Sequence, residues 1–352
     1  MTNLKSNSSL NSSSNSPLNK QRGVALIIVL LLVALMTTVA VQMSDRLWRG
    51  FYRTEGVINH QQAYWYGVGV EALTKVVIEQ SLDDSDTVNL NQAWATENQI
   101  FPLDRGQAEG QIFDMSSCFN LNSLSAAGNN GDDGTTPFLV EYLKNLAEES
   151  GIESYQAEVI AESARDFIDS DSETQSSYGA EDSEYQSKNP PYLPSNSWVA
   201  DVSEFRSING INAPNYFLLR PYLCALPSSD FILNVNTITA DNAVLLSALF
   251  SPALSLDDAK RVIEDRPFDG WDTVEAFLAE PAISGLNDET TNKIKEYLAV
   301  DSHYFQLEGV VTVDRINLRV ASLFVRDDNN KVTVIRRLYG GLSERVSHHK
   351  TE

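Results

Sequence analysis

An uninterrupted apolar segment near the N-terminus constrains this chain most. Residues 24–41 carry no charge, and these 18 residues would span about 27 Å as an α-helix, close to one bilayer core. Lys20 and Arg22 precede the segment and the long remainder follows it, which predicts a single span with a cytoplasmic N-terminal end. The run passes into residues 42–49 without a small-residue cleavage motif. A plain signal anchor fits these features too.

Composition and charge indicate a folded, acidic protein. The 352 residues are 42% hydrophobic and 21% charged, enough for two or three cores, and a mean hydropathy of −0.23 argues against several spans. The net charge is −22, and residues 125–300 hold 30 acidic against 10 basic side chains. Such a surface repels phosphate backbones, which argues against a general nucleic-acid binder. The uneven charge predicts a separate acidic module.

Hydrophobic periodicity predicts an α+β domain around that module. Apolar residues at helical spacing continue the N-terminal helix from Ser44 to about Leu82. Short strands are predicted at 110–115 and 118–122. Later alternation predicts a three-stranded antiparallel meander, with a turn at 327–330 and strands at 304–313, 316–325 and 331–339. The acidic module at 125–300 would then interrupt one α+β domain.

Short motifs in a fixed order give this chain a resemblance to a known family. They are Arg22-Gly23 before the apolar segment and the segments QQAYWY at 61–66, CFNLN at 118–122, DFIDSD at 166–171, GAED at 179–182, PPY at 190–192 and ADVSE at 200–204. The chain resembles the minor pseudopilin K family of the bacterial type II secretion system. The resemblance implies a pseudopilin fold, with a long N-terminal helix, a small antiparallel sheet and a large α-helical insertion of SAM-like or helix-hairpin-helix-like units.

The patterns and the resemblance together divide the chain into seven parts. We expect a prepilin-type leader at 1–23, a transmembrane helix at 24–43, the pseudopilin helix and first strands at 44–124, a first inserted SAM-like domain at 125–231, a second SAM-like helical unit at 232–300, C-terminal antiparallel strands at 301–342 and a tail at 343–352.

The resemblance also implies how the N-terminus is processed. Prepilin peptidase would cut after Gly23, and Val24 would become the N-methylated first residue, a position that is usually Phe in such proteins. The fifth mature residue is Ile28, where most prepilin-type proteins have Glu. Because K-type pseudopilins characteristically lack this Glu, the departure agrees with the resemblance.

The implied function is that of an assembly subunit. The protein would lie in the inner membrane of a Gram-negative cell, cross it once and place its C-terminal domain in the periplasm. It would form the tip of the pseudopilus, initiate fibre assembly and help export folded proteins across the outer membrane. The implied partners are pseudopilins I, J and H, the major pseudopilin and the inner-membrane secretion platform.

Acidic residues at 169–182 are the candidate metal ligands. An EF-hand fits poorly, because Thr174 and Ala180 occupy its sixth and twelfth positions counted from Asp169. From the residues alone, a solvated acidic loop is an equal alternative. The resemblance favours a structural Ca²⁺ ion. The expected ligands are Asp169, Asp171, Glu181 and Asp182, with Glu173 and Asp201 as further candidates.

Two cysteines, Cys118 and Cys224, are either buried thiols or a disulfide. Since the predicted topology places both in the oxidising periplasm, we expect a disulfide. It would close a loop of about 100 residues, worth about 4–5 kcal/mol in the chain-entropy model.

Helix-hairpin-helix-like segments at 202–211 and 281–286 suggest the alternative function. A signal-anchored periplasmic DNA-binding or DNA-uptake protein would use such hairpins on phosphates. However, Asn212 and Asn287 stand where DNA-binding hairpins place a second glycine, and the module is acidic. We therefore predict protein contacts and no nucleic acid.

Catalytic signatures are missing from the sequence. It contains no G-x-S-x-G elbow, P-loop or H-E-x-x-H motif, and no nucleophile–base pair that an anchored hydrolase would need. Trp65 and Tyr66 are expected to pack the long helix onto its sheet. The chain is predicted not to be an enzyme.

Overall fold

The computed structural model describes residues 22–97, 99–128 and 136–340 and divides into two compact units, one ending at His60 and the other starting at Gln61. The predicted leader up to residue 21 and the predicted tail at 343–352 lie outside the described residues.

The first helix, α1, extends from Arg22 to Asp83 and belongs to both units. In the N-terminal unit, every side chain from Gly23 to Thr54 is exposed, including the whole apolar segment. Among the described residues, only this helix is long and apolar enough to cross a membrane. The long N-terminal helix expected from the sequence is confirmed.

The second unit contains a five-stranded antiparallel sheet in the order β1-β2-β7-β8-β9. Its strands are β1 (Gln99–Leu103), β2 (Gly106–Asp114), β7 (Tyr304–Val313), β8 (Ile316–Arg326) and β9 (Val332–Tyr339). The alternation of β-branched and polar residues buries one face, where residues of α1 pack: the core includes Ala63, Ile78, Trp94, Phe305 and Val311. The small antiparallel sheet and the C-terminal meander are thus confirmed.

A helical insertion leaves the sheet after β2 and returns to it at β7. Its α-helices are α2 (Phe138–Glu149), α3 (Ser154–Ile168), α4 (Asp182–Gln186), α5 (Ala213–Leu219), α6 (Val244–Leu249), α7 (Leu256–Glu264), α8 (Val274–Leu278) and α9 (Asp288–Lys295). The insertion also contains two short pairs of parallel strands. They are β3 (Phe119–Asn120) with β4 (Leu223–Cys224), and β5 (Leu233–Asn234) with β6 (Leu298–Ala299). The insertion has its own apolar core.

Two sequence expectations about local structure were wrong. The strand expected at 118–122 is only two residues long, because the side chain of Asn120 caps a 3₁₀ helix that begins at Leu121. Trp65 does not pack on the sheet: it is 67% exposed and contacts Tyr64 edge to face. Tyr66 does pack against the sheet core, since it lies one helical step around α1.

A buried carboxylate holds the insertion to the end of β2. Asp114 is 5% exposed and accepts hydrogen bonds from the Ser302 hydroxyl at 2.6 Å and from the Ser116 backbone N–H at 2.8 Å. It also accepts bonds from Thr237 Oγ1 and Asn234 Nδ2. Burial raises the pKa of Asp114, although these hydrogen bonds oppose the shift. Residues from both ends of the insertion therefore meet at one side chain.

Candidate calcium site and its supporting contacts

The acidic segment begins where α3 ends. Asp169 is the C-cap residue and has an extended backbone, so the chain leaves the helix axis there. Side-chain to backbone bonds then fold the segment: the N–H of Asp171 donates to Asp169 Oδ1 at 3.4 Å, and the N–H of Glu173 donates to Asp171 Oδ1 at 2.8 Å. The segment returns over α3, where Ser163 Oγ donates to the Tyr178 carbonyl at 3.2 Å.

Three of the predicted ligands lie close together. One carboxylate oxygen from each of Asp169, Asp171 and Glu181 falls within 4.8 Å of the other two. Because Ca²⁺–O distances are about 2.3–2.6 Å, two ligands of one calcium ion lie at most about 5 Å apart. The three carboxylates therefore lie close enough to share one ion.

Glu181 gives this cluster a feature that a solvated acidic loop lacks. Its side chain is 4% exposed, and neither of its carboxylate oxygens has a hydrogen-bond partner among the described residues. A buried charge without partners is strongly unfavourable, so native proteins pair it, bind a cation there or keep the group protonated. The donor set of hard oxygens suits calcium, and Glu181 has both oxygens available for it.

Asp166, on the last turn of α3, is a neighbouring acid that sequence reasoning missed. It is completely buried, and Arg165 Nε lies 3.6 Å from its Oδ1. Arg165 also bonds Glu162 Oε2 at 2.5 Å. The backbone of Gly179 lies against the Asp166 carboxylate, and an added Cβ there would overlap it. The glycine at 179 was the signal, because only a residue without a side chain allows this approach.

The acids of this cluster raise one another's pKa values. Burial, followed by repulsion from Asp166, Asp169, Asp171 and Asp182, raises the pKa of Glu181 to about 7. Burial also raises the pKa of Asp166 to about 7, although Arg165 and the Gln175 backbone offset part of the effect. The pKa of Asp169 is raised in the same direction by burial and by Asp171. Without a cation, these groups resist being charged together.

The remaining predicted ligands lie outside this group of three. Asp182 is half-buried in the first turn of α4, and its charge acts on Glu181. Glu173 is exposed. Asp201 forms a capping box with Glu204 at the start of a 3₁₀ helix, accepting the Ser203 N–H at 2.9 Å. Although burial opposes it, hydrogen bonding to Ser203 lowers the pKa of Asp201.

Asn196 connects the acidic segment to the next part of the insertion. Its Nδ2 donates to the Asp171 carbonyl at 2.8 Å, and its N–H donates to the Phe167 carbonyl at 3.0 Å. Its φ of 43° lies in the left-handed region, which Asn tolerates better than most residues. The position of the 190–200 segment thus depends on the shape of the acidic segment.

Cys118 and Cys224 form a disulfide with a Cα–Cα distance of 5.8 Å across a sequence separation of 106. Both cysteines are buried beside Leu226 and Leu323, so the bond lies between the insertion and β8. It fastens β4 beside the start of β3.

Glu71 is another buried acid that was not anticipated. It lies on the sheet-facing side of α1, 2% exposed, and accepts hydrogen bonds from Ser322 Oγ at 2.6 Å, the Tyr339 hydroxyl at 2.6 Å and Arg337 Nε at 2.7 Å. It therefore ties the helix to β8 and β9. Gly67, Thr74 and Ile78 lie on the same face of the helix as Glu71, because they are spaced three or four residues apart. This row of small and apolar residues was the sequence signal that position 71 is buried.

The hairpin at 202–211 uses its glycine internally. Gly210 has a φ of 85°, and its carbonyl accepts a hydrogen bond from Gln156 Nε2 at 2.7 Å. An added Cβ would meet Val159 at 2.9 Å, so α3 packs directly against this turn. The glycine serves packing within the insertion.

Comparisons with known proteins agree with this architecture. Two family models, both described as type II secretion system protein K, match residues 117–228 and 233–301. A type II secretion system protein K of Aeromonas hydrophila is 40% identical over 332 residues, covering 92% of this chain and 98% of the relative. One of Klebsiella pneumoniae is 34% identical over 323 residues, covering 92% of this chain and 97% of the relative.

A solved structure shares the fold. It is the crystal structure of the GspK-GspI-GspJ complex from the type 2 secretion system of enterotoxigenic Escherichia coli; a chain of that complex aligns with a TM-score of 0.75 and 36% identity, covering 82% of this chain and 99% of its own length. A long apolar N-terminal helix joined to a small antiparallel sheet, together with these matches, defines a pseudopilin-type secretion component. The chain belongs to the family of type II secretion system protein K.

Proposed function

We propose that this chain is the minor pseudopilin at the tip of the type II secretion pseudopilus, where it initiates assembly and helps export folded proteins across the outer membrane. The observation that carries the proposal is the insertion between the neighbouring strands β2 and β7. A helical body with its own core, added to a pseudopilin sheet, would clash with repeated helical stacking of subunits. Such a subunit fits the end of a fibre better than its shaft.

The N-terminal sequence supports the same position. Cleavage after Gly23 by prepilin peptidase would leave the positive amine of an N-methylated Val24 inside the apolar core of the fibre. A charge buried there requires an opposite charge, and Ile28 supplies none at the fifth mature position. A neighbouring subunit's Glu could neutralise this amine, whereas this chain could not neutralise the amine of a subunit above it. N-terminal sequencing should therefore find methyl-Val24.

We propose pseudopilins I and J as direct partners, with H, the major pseudopilin and the inner-membrane platform as further ones. The related structure in complex with GspI and GspJ supports this choice. The chain would be anchored once in the inner membrane, with the unit that follows the apolar segment in the periplasm. The insertion, whose helices we expect to form SAM-like units, would supply protein contacts.

We propose that Asp169, Asp171 and Glu181 hold a structural Ca²⁺ ion, with Asp166 and Asp182 beside it. The two carboxylate oxygens of Glu181, buried and without a hydrogen-bond partner in the described part of the chain, support this site. A bound ion would offset two of these negative charges and fix the segment from Asp169 to Glu181, and through Asn196 the segment that follows.

The stoichiometry of a complex tests the tip assignment. Periplasmic parts of this chain and of pseudopilins I and J, mixed with calcium, should form a 1:1:1 complex in native mass spectrometry. Adding excess of this chain should leave the mass unchanged, since a capping subunit has no site for a second copy. Higher complexes with several copies of this chain would refute the assignment.

A further inference from the structure

The stretch of α1 that directly follows the apolar segment carries an aromatic and basic cluster. Arg46, Arg49 and Arg53 are spaced by three and four residues, so at about 100° per residue they fall within an arc of about 60°. Trp48, Phe51 and Tyr52 occupy a different side of the helix. The two kinds of side chain are therefore segregated on the helix surface.

The aromatic side chains form one exposed group. The rings of Trp48 and Tyr52 are stacked with centroids 5.7 Å apart, and Phe51 meets Trp48 edge to face at 6.3 Å. Their exposed fractions are 57% for Trp48, 61% for Phe51 and 51% for Tyr52. Trp and Tyr, whose rings combine an apolar body with a polar edge, are enriched where a membrane meets water.

The distance from the apolar segment places this cluster at a defined depth. The uncharged stretch from Val24 to Ser44 would span about 31 Å, which equals the hydrocarbon core of a bilayer. Asp45 to Arg53 rises about 12 Å further, and the headgroup layer of one leaflet is about 5–8 Å thick. Because arginine side chains are long, all three guanidinium groups can reach this layer.

Charge complementarity favours an anionic lipid surface as the occupant. Removing residues 1–23 deletes three basic side chains and no acidic one, so no basic side chain remains on the N-terminal side of the span and the net charge becomes −25. An anionic membrane surface repels so acidic a chain. Three clustered arginines next to the span can offset that repulsion locally, since guanidinium groups bind phosphate with two donors.

We propose that Arg46, Arg49 and Arg53, together with the Trp48–Phe51–Tyr52 group, bind the phosphate groups of anionic phospholipids in the periplasmic leaflet. This inference rests on the proposed single-pass anchoring.

Lipid selectivity tests the proposal. The processed chain, which starts at Val24 and lacks the basic residues of the leader, is reconstituted in phosphatidylcholine vesicles and titrated with spin-labelled phosphatidylglycerol or spin-labelled phosphatidylcholine. Electron paramagnetic resonance measures the lipid immobilised by the protein. One arginine near an anionic surface contributes about a five-fold preference. We therefore expect at least a five-fold preference for phosphatidylglycerol at low salt, falling to about one in the triple variant Arg46→Gln, Arg49→Gln, Arg53→Gln.

A matched control variant distinguishes lipid binding by the three arginines from a general effect of the protein's net charge. The variant Arg105→Gln, Lys260→Gln, Lys331→Gln makes the same charge change at exposed positions far along the sequence, and it should keep the wild-type preference. Equal preferences in the two triple variants would overturn the proposal. So would a wild-type preference of one, including the case where the arginines bind an acidic pseudopilin helix but no lipid.

The depth of Trp48 in the bilayer shows whether the lipid-binding proposal alone fails or the proposed single-pass anchoring fails as well. Lipids brominated near the headgroup should quench the part of the tryptophan emission that is lost in Trp48→Phe. Quenching without lipid selectivity would overturn the arginine site alone. If wild type and Trp48→Phe are quenched equally, both the depth argument and the proposed anchoring fail.

Discussion

Replacing Glu181 by Gln should have opposite effects on stability with and without calcium. In the calcium-free protein, the pKa of Glu181 is raised from 4.5 to about 7. Ionising it above pH 7 then costs up to about 3 kcal/mol relative to the unfolded chain, and solvent screening lowers this cost. The neutral amide of Gln is buried without partners too, which reduces the gain. Glu181→Gln should therefore stabilise the calcium-free protein by about 1–2 kcal/mol at pH 8.

Calcium should reverse this order. An ion that binds only the folded state stabilises wild type by about 2.7 kcal/mol at a hundred times its Kd. For a chain of this size, about 2 °C in Tm corresponds to 1 kcal/mol. Wild type should thus gain about 5 °C on adding calcium, while Glu181→Gln should gain almost nothing.

Thermal unfolding of the fragment that starts at Ser44 measures both effects, in chelator and in excess calcium at pH 8. Glu173→Gln is the matched control, because it removes an exposed charge from the same segment without touching the buried acids. The control should behave as wild type. A lower Tm of Glu181→Gln in chelator, or an equal rise in the Tm of wild type and Glu181→Gln on adding calcium, would contradict the proposed role of Glu181.

The remaining predictions concern pH, the disulfide and Glu71. The raised pKa values of Asp166 and Glu181 mean that the folded chain holds more protons than the unfolded chain, so the stability of the calcium-free protein should fall as pH rises from about 4.5 to about 7. Over the upper part of this range, calcium affinity should rise with pH, because calcium binding releases protons. Calorimetry in two buffers measures the protons released, and no release at pH 6.5 would contradict this prediction. Cys118→Ser with Cys224→Ser should lower the free energy of unfolding by up to about 4–5 kcal/mol, seen in urea titrations, and reductant should destabilise wild type alone. Glu71→Gln should cost about 3 kcal/mol by leaving the Arg337 and Tyr339 contacts incomplete, whereas exposed Glu109→Gln should change little; equal urea midpoints would contradict the role of Glu71.

The long helix and the antiparallel meander were predictable because their signals are local. An uncharged run gives the apolar helix, and alternation from residue 304 gives strands β7 to β9 at almost the observed bounds. Trp65 was not predictable in the same way. Both faces of that helical turn carry aromatic residues, and only tertiary packing decides that Tyr66 faces the sheet and Trp65 faces away.

The acidic segment shows the same limit at the level of single side chains. Glu181 and Asp182 are adjacent carboxylates and were equivalent as candidates, but the N-terminus of α4 falls between them, so one is buried and the other half-buried. Asp166 precedes the segment on α3, and its burial depends on Gly179 folding back over it. The spacing of the acidic residues along the sequence does not predict where the chain folds back on itself, and so it does not predict which of these side chains are buried.

The position of this chain in assembled pseudopili tests the central claim most directly. A gold label on an engineered surface cysteine in the insertion, at exposed Ser183, would be counted on fibres by electron microscopy, with the native cysteines held in their disulfide. A tip subunit predicts one label per fibre, always at an end. Labels repeated along the shaft would contradict the claim.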